Sequence, residues 1–374
     1  MNGVEERLFE SVPNFSEGRD DETVAAIAGA ARARKSHVLD VDADPDHNRV
    51  VISLAGFAPN LLEALVHSVG VAVERIDVRR HHGVHPRVGA ADVLPIVPLG
   101  STPLAACREL AHELGERIWN DLGVPVYFYG EGQSLADIRA GRGRLGLGGP
   151  DLHSTAGAVC VGARSKLVAF NVILPGMEAG AARALARSLR ESAGGMRGVQ
   201  ALVFELPGGQ VQLSMNLFRL DETTPAAVVA ELERRGVSVG SQHLVGLCPA
   251  AVANQAAAGR LLEARIAASA ARAGAERCTD RGGEEHLALA GRVRREAESL
   301  AVLGIEQEDI LAGAERAAAL VQVLRVAGVL DGELQAMLGV AAAGLREAIT
   351  ADTRSAYAAR VAALDRRLGS PDGE

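Results

Sequence analysis

Short apolar runs rich in Val and Ile alternate with stretches of helical periodicity from the start of the chain to about residue 250. This alternation is typical of proteins that combine strands and helices in packed layers, so the sequence predicts an α/β (α+β) fold. In the first half, the pattern predicts strands at residues 8–12, 37–41, 49–54, 93–97, 124–129 and 158–162. The helices predicted between them lie at residues 22–34, 61–76, 103–122 and 135–140.

From residue 166 onward the predicted order of elements is βαββαβ. The strands fall at residues 167–173, 199–206, 211–215 and 237–245, and the helices at 179–191 and 224–235. The turn Pro207-Gly208-Gly209 joins the two middle strands as a hairpin, and the two crossovers match a ferredoxin-like unit. Because the first half begins with the same order, the sequence predicts two related ferredoxin-like βαββαβ-type subdomains.

After Pro249 the strand signals end, and Ala, Arg, Glu and Leu recur with helical periodicity to residue 368. We therefore predict a C-terminal helical appendage that packs on the body or mediates self-association. The predicted division is a first subdomain at residues 1–164, a second at 165–260 and a helical tail of unknown role at 261–374.

Composition narrows the classes of protein that fit this pattern. The 374 residues are 48% hydrophobic, which is enough to bury a large core, and the net charge of -8 argues against capture of a nucleic-acid backbone. The four cysteines lie far apart without a CxxC pair, as expected of reduced thiols. The first residues lack an apolar signal core, and no run approaches about twenty apolar residues. We therefore expect a cytoplasmic protein with no membrane and no nucleic-acid partner.

Polar residues concentrate where predicted strands end, the usual place for reactive groups on an α/β scaffold. Four segments stand out, at residues 11–19, 40–49, 81–87 and 148–157. In the second of them, Asp40 and Asp42 lie on one face of a strand and offer paired carboxylates. Asp42, at the end of a strand, fits a functional and a structural role equally well, whereas turn statistics favour a purely structural role as turn formers for Asp44, Asp46 and Asn48.

The third segment holds three histidines and an arginine within seven residues, His81-His82-Gly83-Val84-His85-Pro86-Arg87. Histidine suits proton transfer because its reference pKa lies near neutrality. Pro86 favours an extended backbone at His85, which holds that side chain in one place. Arg87 can bind a carboxylate through two parallel hydrogen bonds. We therefore predict that His85 is an acid/base residue.

A metal site is an alternative interpretation of the same histidines, because His81, His85 and Asp42 carry ligand atoms. Their spacing matches no zinc signature, and Pro86 prevents the helical i, i+4 arrangement of HExxH sites. Surface histidines without a catalytic role are a third interpretation. We expect no metal.

The fourth segment is rich in glycine and precedes a strand, so it does not match the dinucleotide fingerprint, in which GxGxxG joins a strand to a helix. Glycines let a planar ligand lie close to the backbone, although a flexible connection between subdomains explains them equally well. Its residues are Gly148, Gly149, Pro150, Asp151, Leu152, His153, Ser154, Thr155, Ala156 and Gly157.

A series of ordered motifs resembles the glutamate formimidoyltransferase family over about residues 5 to 260, and a series is far more specific than any single motif. The early motifs are Val12-Pro13-Asn14-Phe15-Ser16-Glu17-Gly18, Leu39-Asp40-Val41-Asp42-Ala43, Asn48-Arg49 and Gly83-Val84-His85-Pro86-Arg87-Val88-Gly89-Ala90. The later ones are Gly123-Val124-Pro125-Val126-Tyr127, Val161-Gly162-Ala163-Arg164, Ala169-Phe170-Asn171 and Val245-Gly246-Leu247.

The resemblance implies transfer of a formimino group from N-formimino-L-glutamate to N5 of tetrahydrofolate, a step of histidine degradation, with tetrahydrofolate as co-substrate. It implies two subdomains whose sheets stack around a folate tunnel, and the family suggests a homodimer. By the motif match, His85 occupies the catalytic position and Asp42 the acidic position near it, and residues 148–157 align with a folate-contacting loop. The glycine-rich motif that opens the cyclodeaminase domain of some relatives does not follow residue 260, so we expect a single activity.

Chemistry agrees with these roles. A carboxylate such as Asp42 can hold the positively charged amidine of the donor, and His85 can take and return the proton that the reaction needs. Arg87 and Arg49 are candidates for binding the glutamate carboxylates, and the motifs add Asn14 and Asn48 as substrate-binding candidates. Formyl transfer between 5-formyltetrahydrofolate and glutamate, or a non-catalytic folate-binding scaffold, remain alternatives at this stage.

Overall fold

The computed structural model describes residues 7–351 and 353, so the helical prediction for residues 354–368 lies outside the described part of the chain. These residues form two compact units, one of residues 7–248 with 331–337, the other of residues 249–330 with those from 338 onward. The three-part division predicted from the sequence stays a prediction.

The first unit begins with a seven-stranded mixed sheet. Its strands are β1 (Leu8–Ser11), β2 (Asn14–Phe15), β3 (His37–Asp44), β4 (Arg49–Phe57), β5 (Ala91–Pro98), β6 (Val126–Tyr129) and β7 (Val159–Ala163). They follow the order β1-β4-β2-β5-β7-β6, with β3 added beside β4 and a further pairing of β1 with β5. The β5–β7 and β6–β7 pairs are parallel and the others antiparallel.

Helices cover one face of this sheet and create its core. They are α1 (Asp21–Arg32), α2 (Ala58–Arg75) and α3 (Leu104–Leu122), with the short α4 (Leu135–Arg139) after β6. Alternate residues of β4, namely Val50, Ile52 and Leu54, join this core and are at most 1% exposed. Burying each such side chain contributes about 1.5–3 kcal/mol. The intervening residues, among them Arg49 and Ser53, therefore point to the opposite face.

The helix ends follow local sequence signals. The Asp20 carboxylate accepts the Glu22 N–H at 3.1 Å and so caps α1, and the Thr224 hydroxyl accepts the Ala227 N–H at 3.2 Å at the start of the helix that begins with Pro225. Gly123 ends α3 with φ of 65°, in the left-handed region that glycine adopts without strain.

The second sheet confirms the ferredoxin-like prediction. Its elements are β8 (Val168–Ile173), α5 (Ala179–Leu189), β9 (Val199–Glu205), β10 (Val211–Leu217), α6 (Pro225–Arg234) and β11 (Gln242–Val245). The strand order β11-β8-β10-β9, with antiparallel pairing throughout, is that of a split βαβ unit. Gly208 and Gly209 both have positive φ in the β9–β10 turn, as the sequence led us to expect.

The two faces of this second sheet differ in chemistry. One face carries Phe170, Val172, Leu213 and Met215, all at most 1% exposed. The register places Asn171, Gln212, Ser214, Phe204 and His243 together on the other face, which we call the polar face. Polar residues at alternate positions of buried strands are informative, because burying a polar group is costly unless it is hydrogen-bonded.

In two details the structure departs from the predicted elements. The first subdomain has seven strands, because the two-residue β2, which is too short to show a periodic pattern, pairs with both β4 and β5. The predicted strand at residues 237–245 is shorter, since residues 237–241 form no strand and β11 begins at Gln242.

The second compact unit consists of helices, as predicted. It contains α7 (Leu262–Arg281), α8 (Glu284–Ala301) and α9 (Gln307–Val326), and α10 (Gly332–Glu347) enters it from residue 338. The α7 helix buries mostly small residues, and a Cβ on Gly274 would lie 2.7 Å from the Leu324 side chain, so α7 and α9 approach closely there. Residues 331–337 belong to the first unit, where Glu333 accepts the Phe57 N–H at 2.6 Å. Across residues 7–351 and 353, none of the helices has the length and apolar character needed to span a bilayer.

Candidate functional site

The β3–β4 hairpin is organised by Asp44. Its Oδ1 accepts the backbone N–H groups of Asp46 and His47, both at 2.9 Å, and its Oδ2 lies 2.7 Å from Nδ1 of His47. Burial acts to raise the pKa of Asp44, but these hydrogen bonds prevail and lower it to about 2. Asp44 therefore holds the turn and fixes the ring of His47. Sequence reasoning did not select His47.

His85 lies at the centre of the candidate site. Its Nε2 is 2.7 Å from an Nη1 of Arg49, and since a guanidinium only donates, Nε2 accepts and carries no proton. Burial, followed by the positive charges of Arg49 and Arg139, lowers the pKa of His85 to about 2. Burial also lowers the pKa of Arg49 to about 10, which leaves that residue charged at neutral pH.

Two aromatic rings complete the surroundings of His85. The His47 ring centroid lies 6.3 Å away, and the Phe204 centroid lies 5.9 Å away at an interplanar angle of 34°. His47 and Phe204 also meet edge to face at 5.1 Å. Phe204 belongs to β9, so the second sheet contributes directly to the environment of a histidine carried by the first subdomain.

Arg87 stabilises the segment of residues 81–87, which we call the histidine loop, from within. Its Nη2 donates to the backbone carbonyls of His85 at 2.7 Å and Gly83 at 3.2 Å. Its Nη1 lies 2.7 Å from Nε2 of His81, which is also 2.8 Å from the Asn48 carbonyl. One ring nitrogen cannot both accept from Arg87 and donate to that carbonyl, so these two contacts exclude each other. The sequence suggested carboxylate binding by Arg87, and the structure uses its guanidinium on the loop itself.

The two candidate asparagines are also engaged with the backbone. Asn48 has φ of 47°, its Oδ1 accepts the Gly18 N–H at 3.0 Å and its Nδ2 donates to the His82 carbonyl at 3.1 Å. It therefore joins the first motif to the histidine loop. Asn14 donates through Nδ2 to the Val12 carbonyl at 2.7 Å, while its Oδ1 is buried with no partner among the described residues.

A buried ion pair that the sequence did not reveal supports the end of the histidine loop, next to Val88. Asp92, on β5, is 2% exposed; its Oδ2 accepts from Arg139 of α4 at 2.7 Å and its Oδ1 accepts the Val88 N–H at 2.6 Å. Since Arg139 also acts on the pKa of His85, this pair links α4, β5 and the histidine loop.

Asp42 lies on the same strand as Asp44, within reach of the second sheet. Its Oδ2 accepts the Gly246 N–H at 3.0 Å and is 3.8 Å from Nε2 of His243. Asp42 lines a cleft of about 350 Å³ whose walls come from both sheets. The lining residues are Asp42, Ala43, Asp44, Pro45, Asp46, Asn171, Ile173, Leu206, Gln210, Gln212, Ser241 and His243.

The glycine-rich segment spans a long path. A Cβ on Gly148 would lie 2.7 Å from the Trp119 ring of α3, whereas Ala156 accepts the Ala90 N–H at 2.8 Å just after the histidine loop. Residues 148–152 and 154 are exposed, and none of residues 148–157 lines the cleft. Only the end of the segment near Gly157 thus approaches the His85 loop.

The metal interpretation gains no geometric support. Within the described ranges, no group of three or more His, Cys, Asp or Glu side chains is placed to hold a metal ion. His81, His85 and Asp42 therefore do not converge as a set of ligands, and each makes the contacts with protein groups given above.

Known proteins are similar to this chain over 65% of its length. The model of the formiminotransferase domain, N-terminal subdomain, matches residues 8–164. Glutamate formimidoyltransferase from Thermoplasma acidophilum is 36% identical over 268 residues, which cover 65% of this chain and 88% of that protein. The chain belongs to the glutamate formimidoyltransferase family.

Other relatives extend this result. Glutamate formimidoyltransferase from Streptococcus pyogenes serotype M1 is 34% identical over 268 residues, covering 90% of that protein. Formimidoyltransferase-cyclodeaminase from Sus scrofa is 36% identical over 274 residues, but they cover only 50% of it. The similarity thus covers nearly the whole length of the two glutamate formimidoyltransferases, but only half of the formimidoyltransferase-cyclodeaminase.

Proposed function

We propose that this chain transfers the formimino group of N-formimino-L-glutamate to N5 of tetrahydrofolate and releases L-glutamate. The names of its relatives, and the high share of their length that is matched, support this activity. The structural observation that carries the proposal is the half-buried His85, whose unprotonated Nε2 lies beside Arg49 and under Phe204. A neutral imidazole with a fixed orientation is suited to act as a general base.

The reaction needs one proton to move twice. N5 of tetrahydrofolate attacks the amidinium carbon and becomes positively charged, and His85 Nε2 takes the proton from N5. The resulting imidazolium then donates that proton to the glutamate nitrogen, the bond from carbon to that nitrogen breaks, and glutamate leaves as a neutral amine. His85 ends as it began, and the products are 5-formiminotetrahydrofolate and L-glutamate.

Arg49 adjusts the basicity of His85 during this cycle. In the structure its guanidinium occupies the Nε2 lone pair and disfavours protonation of the imidazole. A glutamate carboxylate that pairs with Arg49 draws the guanidinium from Nε2 and neutralises its charge. The pKa of His85 then rises toward the value that proton transfer needs, so donor binding activates the base.

Asp42 binds the amidinium of the donor. Its carboxylate accepts the Gly246 N–H at 3.0 Å and lines the cleft between the two sheets, and a carboxylate holds a cationic group through charge-assisted hydrogen bonds. The carboxylate also favours the protonated form of the amidine, which is more electrophilic at carbon than the neutral form.

We further propose that tetrahydrofolate is the co-substrate and that the reaction requires no metal. We also propose that the protein is a homodimer and lies in the cytoplasm. Arg87, Asn48 and Asn14 serve the site by holding the loops in place, with the buried Asn14 Oδ1 as the remaining candidate for direct substrate contact. Residues 148–157 contribute to folate binding through the end that meets the histidine loop.

The test uses the purified chain with tetrahydrofolate and N-formimino-L-glutamate, before and after exhaustive chelation. Glutamate release that requires both substrates and survives chelation is expected. A parallel reaction containing 5-formyltetrahydrofolate and glutamate measures formyl transfer, which is expected to be slower. Failure to release glutamate from the formimino donor would refute the proposal, and faster formyl transfer would reassign the donor.

A further inference from the structure

The ring of His47 is held by a carboxylate on one side. Its Nδ1 lies 2.7 Å from Oδ2 of Asp44, and the pKa of Asp44 is lowered to about 2, so that carboxylate is ionised at neutral pH and only accepts. Nδ1 of His47 therefore carries the proton of this contact. An imidazole whose Nδ1–H donates to a carboxylate has a fixed tautomer and orientation, and its Nε2 is the atom that gains or loses a proton.

The surroundings of the His47 ring differ from those of the His85 ring. Among the described residues, none forms a hydrogen bond with Nε2 of His47, whereas Nε2 of His85 accepts from Arg49 at 2.7 Å. His47 contacts an anion, but His85 lies near the cations of Arg49 and Arg139. A carboxylate stabilises an imidazolium and a cation destabilises it. In the resting site His85 is therefore neutral, and His47 is the ring suited to hold an additional proton.

The proposed reaction requires one proton that His85 does not supply. The donor enters with a positive charge on its amidinium, and 5-formiminotetrahydrofolate keeps that charge on its own amidinium. His85 only moves the N5 proton to the glutamate nitrogen, which leaves as a neutral amine. Because free glutamate carries an ammonium group at neutral pH, one further proton enters with each turnover. Until it arrives, the lone pair of the amine can attack the product and reverse the transfer.

His47 lies close enough to His85 to deliver this proton. The two ring centroids are 6.3 Å apart, and two hydrogen bonds of about 3 Å each can join such rings through one shared nitrogen atom. The Phe204 ring packs against both imidazoles, at 5.1 Å and 5.9 Å, and so borders the same space. The Asp44 side chain is 34% exposed and that of His47 is 8% exposed, so the pair also meets solvent.

We propose that His47, paired with Asp44, is a second acid/base residue of the reaction and gives the released glutamate nitrogen its final proton. This inference deepens the proposed function and rests on it. The Nε2–H bond of the His47 imidazolium breaks, its electron pair stays on Nε2, and the lone pair of the amine takes the proton. The resulting ammonium group no longer attacks the product. His47 then regains a proton from an acid of the solvent, hydronium or buffer, while Nδ1 keeps its hydrogen bond to Asp44.

The variant His47→Asn isolates the Nε2 atom. The side-chain amide of Asn can donate to Asp44 as Nδ1 of His47 does, but it gives up no proton. We expect kcat for glutamate release to fall about 100-fold, the lower end of the range for an acid/base residue, with KM for both substrates unchanged. Steady-state kinetics of the full chain measures both constants. An unchanged kcat would overturn the proposal.

A second variant, His47→Gly, tests the need for a proton carrier. Added imidazole should raise kcat of this variant about 10-fold, because it carries a proton in the space that the side chain has left. Pyrazole is a ring of the same size but a far weaker base, so it should not restore activity. Equal recovery with the two rings would show that the His47 ring only fills space, and the proposal would then be wrong.

Asp44→Asn tests the partner of the ring. The Asn oxygen still accepts the backbone N–H groups of Asp46 and His47, so the turn is retained. Without the carboxylate, the imidazolium of His47 loses its partner, and kcat should fall in the same direction. Because both residues act in one step, combining Asp44→Asn with His47→Asn should cause no further loss. Losses that multiply would contradict a shared step.

The matched control is His112→Asn. His112 also pairs with a carboxylate, 3.0 Å from Glu131, but the two side chains are 49% and 41% exposed on the surface. Its kcat should equal that of the unchanged chain. Circular dichroism verifies that each variant folds, and Asp44→Asn decides the question if the His47 variants do not fold.

The outcomes separate this inference from the proposed function. If the unchanged chain releases glutamate and the variants at His47 and Asp44 keep its kcat, only the role of the pair is wrong. If the unchanged chain releases no glutamate from the formimino donor, the function is wrong and the role of His47 with it.

Discussion

The guanidinium of Arg49 lies 2.7 Å from Nε2 of His85, so it occupies the lone pair that the proposed reaction needs. The register places Arg49 opposite Asp44 in the β3–β4 hairpin. Further along β4, Val50 and Ile52 point into the helix-covered core. Because side chains alternate between the two faces of a strand, Arg49 points to the opposite face, where His85 lies. This pairing keeps Nε2 of His85 unprotonated as long as the guanidinium stays in place.

Replacing His85 by Ala should lower kcat by about 10²- to 10⁴-fold, the range typical of losing a general acid/base. The loss should occur without a change in the far-UV circular dichroism spectrum, because His85 is only half-buried. His82→Ala is the control from the same loop, since His82 is exposed and its described hydrogen bond uses the backbone carbonyl. Equal turnover in the His85 variant and the unchanged chain would refute the mechanism.

The pH profile tests the effect of Arg49 on His85. Since burial and Arg49 lower the pKa of His85 to about 2, the base is neutral from weakly acidic pH upward, and kcat/KM of the unchanged chain should show no limb from His85 between pH 5 and 8. Arg49→Gln removes a positive charge, so the pKa of His85 rises and activity is lost at a higher pH than before. A profile of kcat/KM from pH 5 to 9 measures this shift.

The control for that profile is Arg80→Gln. Arg80 precedes the histidine loop and its side chain is 87% exposed, so its removal changes the net charge by the same amount at a solvent-screened position. Its profile should match that of the unchanged chain. An acid limb that moves equally in both variants would attribute the effect to net charge and not to the contact with His85.

The sequence predicted the order of the elements well because that order follows from local periodicity. The predicted strand at 49–54 and the predicted helix at 61–76 correspond to β4 and α2 within a few residues at each end. The second sheet was predicted with its correct topology, since the turn glycines and alternating apolar residues are local signals. The strand β2, with two residues, is too short to produce such a signal.

The residues that surround His85 could not be predicted from local sequence signals. Phe204 lies 119 positions further along the chain, and its ring approaches His85 only because the two sheets meet. The pair of Asp92 and Arg139 is likewise non-local, since its members are 47 positions apart in the chain. A signal for the cleft was present, however: Asn171 interrupts the otherwise apolar β8, and Gln212 is one of three polar residues that alternate with apolar ones along β10.

Two glycines of the fourth segment have a structural reason that the sequence did not show. The sequence left open a loop for a planar ligand and a flexible connection; close contacts inside the protein account for Gly157 and Gly148, and a role of the segment in folate binding stays a prediction. A Cβ on Gly157 would lie 2.4 Å from the Val88 carbonyl oxygen, and one on Gly148 would meet the Trp119 ring. Both also have positive φ, which other residues rarely adopt.

Asp92→Asn should destabilise the protein by about 3–5 kcal/mol, the usual cost of removing one partner of a buried ion pair. Asp92 is buried, and its removal leaves the guanidinium of Arg139 without its carboxylate. Urea unfolding measures the change. Glu22→Gln breaks the surface pair with Arg75, in which Glu22 is 84% exposed, and should cost only about 0–1 kcal/mol. Similar losses in the two variants would contradict the structural importance of the buried pair.

Gly89→Ala should impair catalysis by displacing the histidine loop. A Cβ at this position would lie 2.0 Å from the Ala158 carbonyl oxygen and 2.5 Å from that of Ala156, so the backbone must shift. A displacement of about 1 Å in a catalytic group can cost roughly 100-fold in rate. Gly180→Ala on α5 is the control, because a Cβ there meets nothing within 4 Å and should leave kcat unchanged. Full activity of the Gly89 variant would show that the loop tolerates the shift.

Phe204→Ala tests whether the second sheet controls the base of the first. The ring covers one side of the imidazole, and burial is the largest cause of the lowered pKa of His85. Without the ring, water reaches the imidazole, the pKa of His85 rises, and the acid limb of kcat/KM moves to higher pH. Leu202→Ala is the control, since Leu202 lies two residues earlier on the same face and is 48% exposed. A loss of thermal stability with no change in the pH profile would mean that Phe204 only fills space.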